Sequence, residues 1–223
     1  MVNSHLRLFQ RLLGIVSPTT RRDRMKHLEP LNLKPGQKVI DLGGTCQIWN
    51  YFETPLEITI VNLPGVDDQR PPSSHHTFHF VEGDATDLGI YPDNAFDLVF
   101  SNSVIEHVGG KDQQAAFARE VRRLAPSYYV QTPSVWFPLE AHSGVPFWWA
   151  LPKWVRKRMI ERWRKNVPAW TEMVEGTTVI WRKTFQSYFP DGRIITERFA
   201  GIPKSYAVLR VGETKRPGMS RAA

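Results

Sequence analysis

The most informative junction in the sequence is Val39-Ile40-Asp41-Leu42-Gly43-Gly44-Thr45. A short, largely apolar run of this kind is typical of a buried parallel strand, and a glycine pair follows it directly. Glycine has no side chain, so it permits tight turns and a close approach of a ligand to the backbone. We therefore predict a strand, a tight loop and then a helix, with a ligand near the loop.

Further strands are predicted on both sides of this junction. The parallel candidates are Ile58–Asn62, Phe78–Asp84, Phe96–Ser101 and Tyr128–Gln131. Residues 113–124 have apolar positions at helical spacing, and strands separated by helices predict a parallel sheet. Two later runs, Ile194–Arg198 and Tyr206–Val211, predict a hairpin at the edge of the sheet. An α/β fold is therefore expected.

Length and composition exclude several classes of protein. The chain has 223 residues, of which 41% are hydrophobic, and this size favours a single domain. The apolar stretch 147–151 is much shorter than the roughly 20 residues that span a bilayer. The N-terminus lacks the pattern of a secretory signal, and the single Cys46 excludes an internal disulfide. We expect a cytoplasmic protein.

Positive charge is concentrated in one segment. The chain has 29 Lys and Arg against 22 Asp and Glu, a net charge of +7. Most of the excess lies between Lys153 and Lys165, where Glu161 is the acidic residue. Such an excess attracts anionic partners.

Polar residues end the predicted parallel strands. Ligands of open α/β sheets bind beyond the carboxyl ends of the strands, so these residues are candidate ligand contacts. They are Asp41, Asn62, Asp84, Ser101 and Asn102. The dinucleotide fingerprint G-x-G-x-x-G is not met, because Thr45 and Ile48 stand at the later glycine positions. The pattern predicts a nucleoside cofactor and disfavours a nicotinamide dehydrogenase.

Three motifs in order resemble those of the class I S-adenosylmethionine-dependent methyltransferases. They are residues 39–45, 83–88 and 96–108, and a bacterial subgroup of the type 11-like domains also carries a segment like Gln131–His142. The resemblance runs from about Lys38 to Leu209. It implies a Rossmann-like, seven-stranded, mostly parallel sheet with helices on both faces and a C-terminal antiparallel hairpin.

The sequence pattern and the resemblance together predict a domain layout, in which the N-terminal helices follow from apolar residues at helical spacing and the tail from its charged and small residues. A single domain would cover residues 1–212, with N-terminal helices in 1–30 and a variable substrate cover at 134–176. Residues 213–223 are expected to be a disordered tail.

The resemblance places the cofactor residue by residue. It implies that the methionine part of S-adenosylmethionine lies near the glycine turn, the ribose near the end of the second strand and the adenine near the end of the third, with the fourth strand forming the floor. In chain order the implied residues are Asp41, Gly43, Gly44, Thr45, Asn62, Leu63, Asp84, Ala85, Ser101 and Asn102.

Transfer of a methyl group from a sulfonium depends mainly on alignment and exclusion of water, but a hydroxyl acceptor also benefits from a base. His142, with Glu140 to orient it, is the first candidate, and His107 is the second. The alternative is that these residues only make local hydrogen bonds. Similar quinone-biosynthesis enzymes bind a divalent ion through an added acid where this chain has Ser103, so we predict no metal.

The basic segment has two interpretations. Leu151, Val155, Met159 and Trp163 fall four apart and form an apolar stripe on a helix expected over Pro152–Arg164. The stripe either packs on the domain, or it lies on an anionic membrane surface together with the tryptophans of 147–165. A phosphate-rich acceptor would use the same cations.

These observations predict an enzyme that methylates a hydroxyl of a small molecule or a glycan, which can be lipid-linked, at the inner membrane face or in the cytoplasm. S-adenosylhomocysteine would be the product. The first alternative is a non-catalytic protein that binds membranes or polyanions on a degenerate Rossmann-like domain. The second is an RNA methyltransferase, which the missing base-clamping and RNA-binding motifs disfavour.

Overall fold

The computed structural model describes residues 21–66, 73–138 and 143–212. Its strands are β1 (Lys38–Leu42), β2 (Glu57–Asn62), β3 (Thr77–Glu82), β4 (Leu98–Asn102), β5 (Ser127–Pro133), β6 (Arg193–Phe199) and β7 (Ile202–Arg210). They form one seven-stranded sheet in the order β3-β2-β1-β4-β5-β7-β6. β1 to β5 are parallel, whereas β7 runs antiparallel to β5 and pairs with β6 as a hairpin. The predicted fold is confirmed.

The centre of the sheet is buried because its strands are apolar on both faces. Val39 in β1 and Leu98 in β4 are fully buried, and the two residues are paired in the strand register. Burial on both faces is what continuous apolar runs predict for parallel strands. β1 therefore lies under cover on both sides, and its carboxyl end is held firmly in place.

Helices cover both faces of the sheet. Residues 21–26 are helical, and the helices that follow are Cys46–Trp49, Lys111–Leu124, Lys153–Asn166, Pro168–Gly176 and Arg182–Tyr188. On one face, Phe117 and Phe185 pack with Ile40 in an apolar core. On the other face, Met25 and Trp49 contribute to a second core.

The segment after β5 contains more regular structure than the sequence predicted. The expected helix at Pro152–Arg164 is confirmed as Lys153–Asn166, but a further helix, Pro168–Gly176, follows at once. Proline lacks an N–H and is well suited to the first turn of a helix, so Pro168 ends one helix and begins the next. The helix Arg182–Tyr188 then precedes the C-terminal hairpin.

The apolar stripe of the basic helix packs mostly on the protein itself. Trp163 is 7% exposed and forms a small core with Trp148 and Val174, against which Leu151 and Met159 also pack. The indoles of Trp148 and Trp163 are stacked, with ring centroids 5.3 Å apart. Other residues of the chain, Trp148 and Val174 among them, therefore cover the apolar face of the basic helix. In the described ranges, no helix is both long and apolar enough to cross a membrane.

Some expected features lie outside the described residues. These are the N-terminal helix at 1–20 and the tail at 213–223.

A buried ion pair joins the helix at residues 21–26 to the C-terminal hairpin. Arg24 donates from Nε to Glu197 Oε1 at 3.0 Å and from Nη2 to Oε2 at 2.7 Å. Glu197 also accepts hydrogen bonds from the hydroxyls of Tyr129 and Ser205. Burial acts to raise the pKa of Glu197, but the bonds from Arg24 outweigh it and hold that pKa below its usual value.

We predict that Arg24→Met lowers the free energy of unfolding by about 3–5 kcal/mol, because Glu197 would remain buried without its cation. Arg22→Met is the matched control, since Arg22 is exposed on the same helix, and should change stability by less than about 0.5 kcal/mol. Urea denaturation followed by circular dichroism measures both. Equal stabilities of the two variants would contradict a structural role for the pair.

Candidate active site

The predicted cofactor residues converge at one edge of the sheet. β3, β2, β1 and β4 are neighbours and run parallel, so their carboxyl ends lie side by side. Asn62 and Asn102 are the last residues of β2 and β4, and Asp84 follows the end of β3. The Gly43-Gly44 turn lies between them, directly after β1.

Asp41 is the buried acid of this edge. Its side chain is fully buried, and Oδ2 accepts a hydrogen bond of 2.8 Å from the indole Nε1 of Trp49. Among the described residues, Oδ1 has no hydrogen-bond partner. Burial raises the pKa of Asp41 to about 7, although the bond from Trp49 acts in the opposite direction. A buried hydrogen-bond acceptor without a partner is costly, so Oδ1 marks a place where a hydrogen-bond donor of a ligand would be favourable.

The two glycines of the turn are required for different reasons. Gly43 has φ +67°, and a Cβ there would lie 2.5 Å from a methyl group of Val104. A Cβ on Gly44 would lie 1.9 Å from Oδ2 of Asp41. Gly43 is exposed, as is Thr45, which precedes the short helix Cys46–Trp49. The turn therefore offers an open backbone surface above a buried carboxylate.

At the end of β2, the amide of Asn62 supports the turn. Its Nδ2 donates to the carbonyl oxygen of Gly44 at 3.1 Å. Leu63, the next residue, has 61% of its surface exposed. An exposed leucine beside a half-buried amide presents an apolar and a polar contact to the same region.

At the end of β3, Asp84 forms a local turn. Its Oδ1 accepts hydrogen bonds from the backbone N and the hydroxyl of Thr86, at 2.8 and 2.7 Å. The side chain of Asp84 is exposed, and Ala85 packs against the core behind it.

At the end of β4, Ser101 and Asn102 have different surroundings. Ser101 is fully buried and donates its hydroxyl to the carbonyl of Leu42 at 3.1 Å, which ties β4 to β1. Asn102 Oδ1 accepts a hydrogen bond from Nη1 of Arg24. Sequence reasoning missed Arg24 and Trp49, because neither belongs to a recognisable motif.

Of the two candidate bases, His142 and His107, the structure describes His107. Glu140 and His142 lie outside the described residues. His107 is exposed in the loop after β4, and its Nδ1 lies 3.5 Å from the hydroxyl of Thr177. The neighbouring Glu106 is buried and accepts a hydrogen bond of 3.1 Å from the hydroxyl of Thr132 in β5.

This loop is also hydrogen-bonded to the residues that directly follow the predicted cover, because the backbone N of Thr178 donates to the carbonyl oxygen of Glu106 at 2.7 Å. Within the described ranges, no cluster of three or more His, Cys, Asp or Glu side chains is suited to a metal ion. Ser103 donates its hydroxyl to Oε1 of Gln131 at 2.8 Å.

Comparison with known proteins supports the resemblance carried by the three motifs. Residues 45–128, less than half of the chain, match the family model described as a methyltransferase domain. This match confirms the resemblance predicted from the three motifs. The matched range includes the ends of β2, β3 and β4.

Solved structures share the methyltransferase fold. The magnesium protoporphyrin IX methyltransferase of Synechocystis PCC 6803, solved with bound S-adenosylhomocysteine, has a TM-score of 0.55 at 10% identity over 90% of this chain and 86% of that one. The PH0226 protein of Pyrococcus horikoshii OT3 has a TM-score of 0.51 at 17% identity over 86% and 91%. At these identities the likeness shows the fold alone.

Curated relatives match part of this chain. Phosphoethanolamine N-methyltransferases 1 and 3 of Arabidopsis thaliana are each 30% identical over 122 residues. The match covers 51% of this chain and 24% of the plant enzymes, so the chain spans about a quarter of their length.

We predict that Gly44→Ala disrupts the site, because the new Cβ would displace the Asp41 carboxylate or the turn. The expected loss is about 2 kcal/mol or more in the free energy of unfolding, within the range for steric overpacking. Gly176→Ala is the control, since its Cβ would meet open space at the end of a helix. It should be neutral or slightly stabilising in the same denaturation measurement. A neutral Gly44→Ala would show that the contact is not a constraint.

Stability should fall as the pH rises through the titration of Asp41. The folded protein has a pKa of about 7 for this group, above its ordinary value of 3.8. Between these values the folded state binds the proton more strongly, so raising the pH costs stability, by up to about 1.4 kcal/mol per pH unit.

Asp41→Asn should lack this fall, which denaturation midpoints at about pH 5 and pH 8 measure. Asp87→Asn, on an exposed side chain, should retain it. An identical pH profile for Asp41→Asn and the unaltered chain would contradict the assignment.

Proposed function

We propose that this chain transfers a methyl group from S-adenosylmethionine to a hydroxyl of a small molecule or a glycan, which can be lipid-linked. The observation that carries the proposal is the open Gly43-Gly44 turn above the buried, incompletely bonded carboxylate of Asp41. It lies at the edge of the sheet where the family binds its cofactor. When bound, S-adenosylmethionine supplies an electrophilic methyl group on a sulfonium centre.

In this proposal, the residues of the turn and the strand ends hold the cofactor. Asp41, Gly43, Gly44 and Thr45 would bind the methionine part, where Oδ1 of Asp41 offers an acceptor. Asn62 and Leu63 would contact the ribose, and Asp84 and Ala85 the adenine, above a floor formed by Ser101 and Asn102. The exposed carboxylate of Asp84 suits a hydrogen-bond donor on the base.

A positioned base would take the proton of the acceptor hydroxyl. His107 is exposed beside the end of β4, and the contact between its Nδ1 and Thr177 supports a fixed ring orientation. The imidazole of His107 could receive the proton as the oxygen attacks the methyl group. His142, oriented by Glu140, stays a candidate for the same role.

A second candidate is transfer to an amine, which the partial match to the phosphoethanolamine N-methyltransferases favours. An amine can lose its proton in solution before the reaction, so this acceptor would not need His107. The remaining alternatives are a non-catalytic membrane- or polyanion-binding protein and an RNA methyltransferase.

We also propose a peripheral position at the inner face of the membrane. Trp154, which is 69% exposed, lies on the basic helix Lys153–Asn166, and Phe147, which is 62% exposed, precedes that helix. Exposed aromatic residues among cations suit the interface of an anionic bilayer. The packing of Trp163 inside the cover leaves only the flanking aromatic residues for such a contact.

Calorimetric titration with S-adenosylmethionine and with S-adenosylhomocysteine tests the donor. We expect binding of both, weakened at least about tenfold by Asp84→Asn, because a charged hydrogen-bond acceptor is lost. The substitution retains an amide oxygen for the local turn with Thr86. Asp87→Asn is the control and should change the affinity less than about threefold.

Absence of binding by the unaltered chain would overturn the proposal and favour the non-catalytic alternative. If the donor binds, radiolabelled methyl transfer to a panel of hydroxyl, amine and RNA acceptors separates the remaining classes. A pH-rate profile that loses its acidic limb in His107→Gln would support the base.

A further inference from the structure

A cavity of about 410 Å³ lies inside the cover, between the turn at Trp148–Ala150, the helix Lys153–Asn166 and the end of the helix Pro168–Gly176. Its walls combine indoles and cations, and the residues that matter here are Trp148, Trp149, Lys153, Arg156, Lys157 and Thr177. The volume is in the range of small-molecule sites. The packing of the Trp163 core does not fill it.

Three cations in the wall have no acidic partner. Within the described ranges, Lys153, Arg156 and Lys157 make no ion pair, whereas Arg164, also in the wall, binds Glu175 at 2.6 Å. Glu161 is the other carboxylate of the lining. With four cations against two carboxylates, the cavity is positively charged. Cations that share a cavity repel one another, so an anion placed between them would be stabilised.

Arg156 is the most constrained of these cations. Its guanidinium carbon lies 5.3 Å from the ring centroid of Trp149 and 6.0 Å from that of Trp148. Its Nε is buried and, among the described residues, has no hydrogen-bond partner. A guanidinium placed beside aromatic rings keeps its planar set of donors in one orientation, which matches the oxygens of a phosphate.

The cavity also reaches the loop beside the proposed methyl-transfer site. Thr177 lines the cavity, and its hydroxyl lies 3.5 Å from Nδ1 of His107. The next residue, Thr178, is bonded through its backbone to Glu106. A ligand with its anionic group in the cavity could therefore extend toward the end of β4.

We propose that this cavity binds the phosphate group of a phosphorylated acceptor, with Arg156, Lys153 and Lys157 contacting the oxygens and Trp148 and Trp149 contacting an adjoining apolar part. That the phosphate belongs to a methyl acceptor rests on the proposed function. That the cavity binds phosphate rests on the cavity alone. The phosphate could belong to a soluble ester or to a lipid-linked molecule, and the experiment separates these sources.

The test is a titration of the full chain with inorganic pyrophosphate, followed by calorimetry and by tryptophan fluorescence, which Trp148 and Trp149 should report. Arg156→Gln should weaken binding at least about tenfold, because it removes a charged, bidentate donor. Lys157→Gln, on an exposed side chain that is not part of a core, should weaken it about threefold or more. Arg158→Gln is the matched control, because Arg158 is exposed on the same helix but outside the cavity.

No binding of pyrophosphate, or equal weakening by Arg156→Gln and Arg158→Gln, would overturn the inference. Equal weakening would mean that only the general charge of the helix attracts the anion. Titration of the same variants with S-adenosylmethionine keeps the two proposals apart. If the donor binds and pyrophosphate does not, the cavity proposal fails alone; in the reverse case the cavity binds phosphate and the proposed function fails.

Flotation with phosphatidylcholine vesicles, with and without phosphatidic acid, identifies the source of the phosphate. Binding to the anionic vesicles that Arg156→Gln abolishes and Arg158→Gln retains would support a lipid-linked phosphate in the cavity. Pyrophosphate binding without Arg156-dependent vesicle binding would support a soluble ester.

Discussion

The contact between the carboxylate of Asp41 and the bare Cα of Gly44 is the constraint on which the site depends. Asp41 lies at the end of a strand that is covered on both faces, so its charge has no access to water. The indole of Trp49 satisfies one oxygen, and Gly44 lies against the carboxylate, where a methyl group would overlap it. Strand, turn and short helix are therefore held together by one buried acid.

Two further side chains, Ser101 and Arg24, hold the neighbouring elements of this edge together. The hydroxyl of Ser101 bonds the carbonyl of Leu42 and fixes β4 beside β1. Arg24 bonds Asn102 at the end of β4 and Glu197 in the edge hairpin. Arg24 is a buried cation and needs hydrogen-bond partners, so Asn102 and Glu197 together fix its position. Arg24 thus joins the helix at residues 21–26 to β4 and to the last hairpin. This junction lies at the side of the sheet where the ligand would bind.

Sequence reasoning predicted what depends on neighbouring residues. The runs Val39–Leu42 and Phe96–Ser101 predicted strands because they are short and largely apolar, and the pair Gly43-Gly44 predicted a turn because glycine has no side chain. In the structure Gly43 has φ +67°. That the polar residues at the strand ends lie together at one edge followed from the parallel topology of the predicted sheet. The helix Pro168–Gly176 was missed because tryptophan, proline and polar residues weaken its periodicity.

Contacts between distant parts of the chain could not be predicted in the same way. Arg24 and Glu197 are 173 residues apart, and Thr177 and His107 are 70 apart. A single sequence gives no signal for such pairs, since each residue alone resembles an ordinary surface residue. The basic helix shows the same limit, because its spacing indicated an apolar face without indicating that Trp148 and Val174 would cover that face.

The division of the chain has a consequence for specificity. The family model ends at residue 128, and the lining residues of the cationic cavity lie between Trp148 and Thr177. Most residues of the proposed donor site are therefore within the matched range, and the lining of the cavity is outside it. The family match thus carries information about the proposed methyl donor and little about the acceptor. The acceptor has to be inferred from the chemistry of the cover, where unpaired cations beside indoles favour an anion with an apolar neighbour, and the contact of Thr177 with His107 connects that chemistry to the loop after β4.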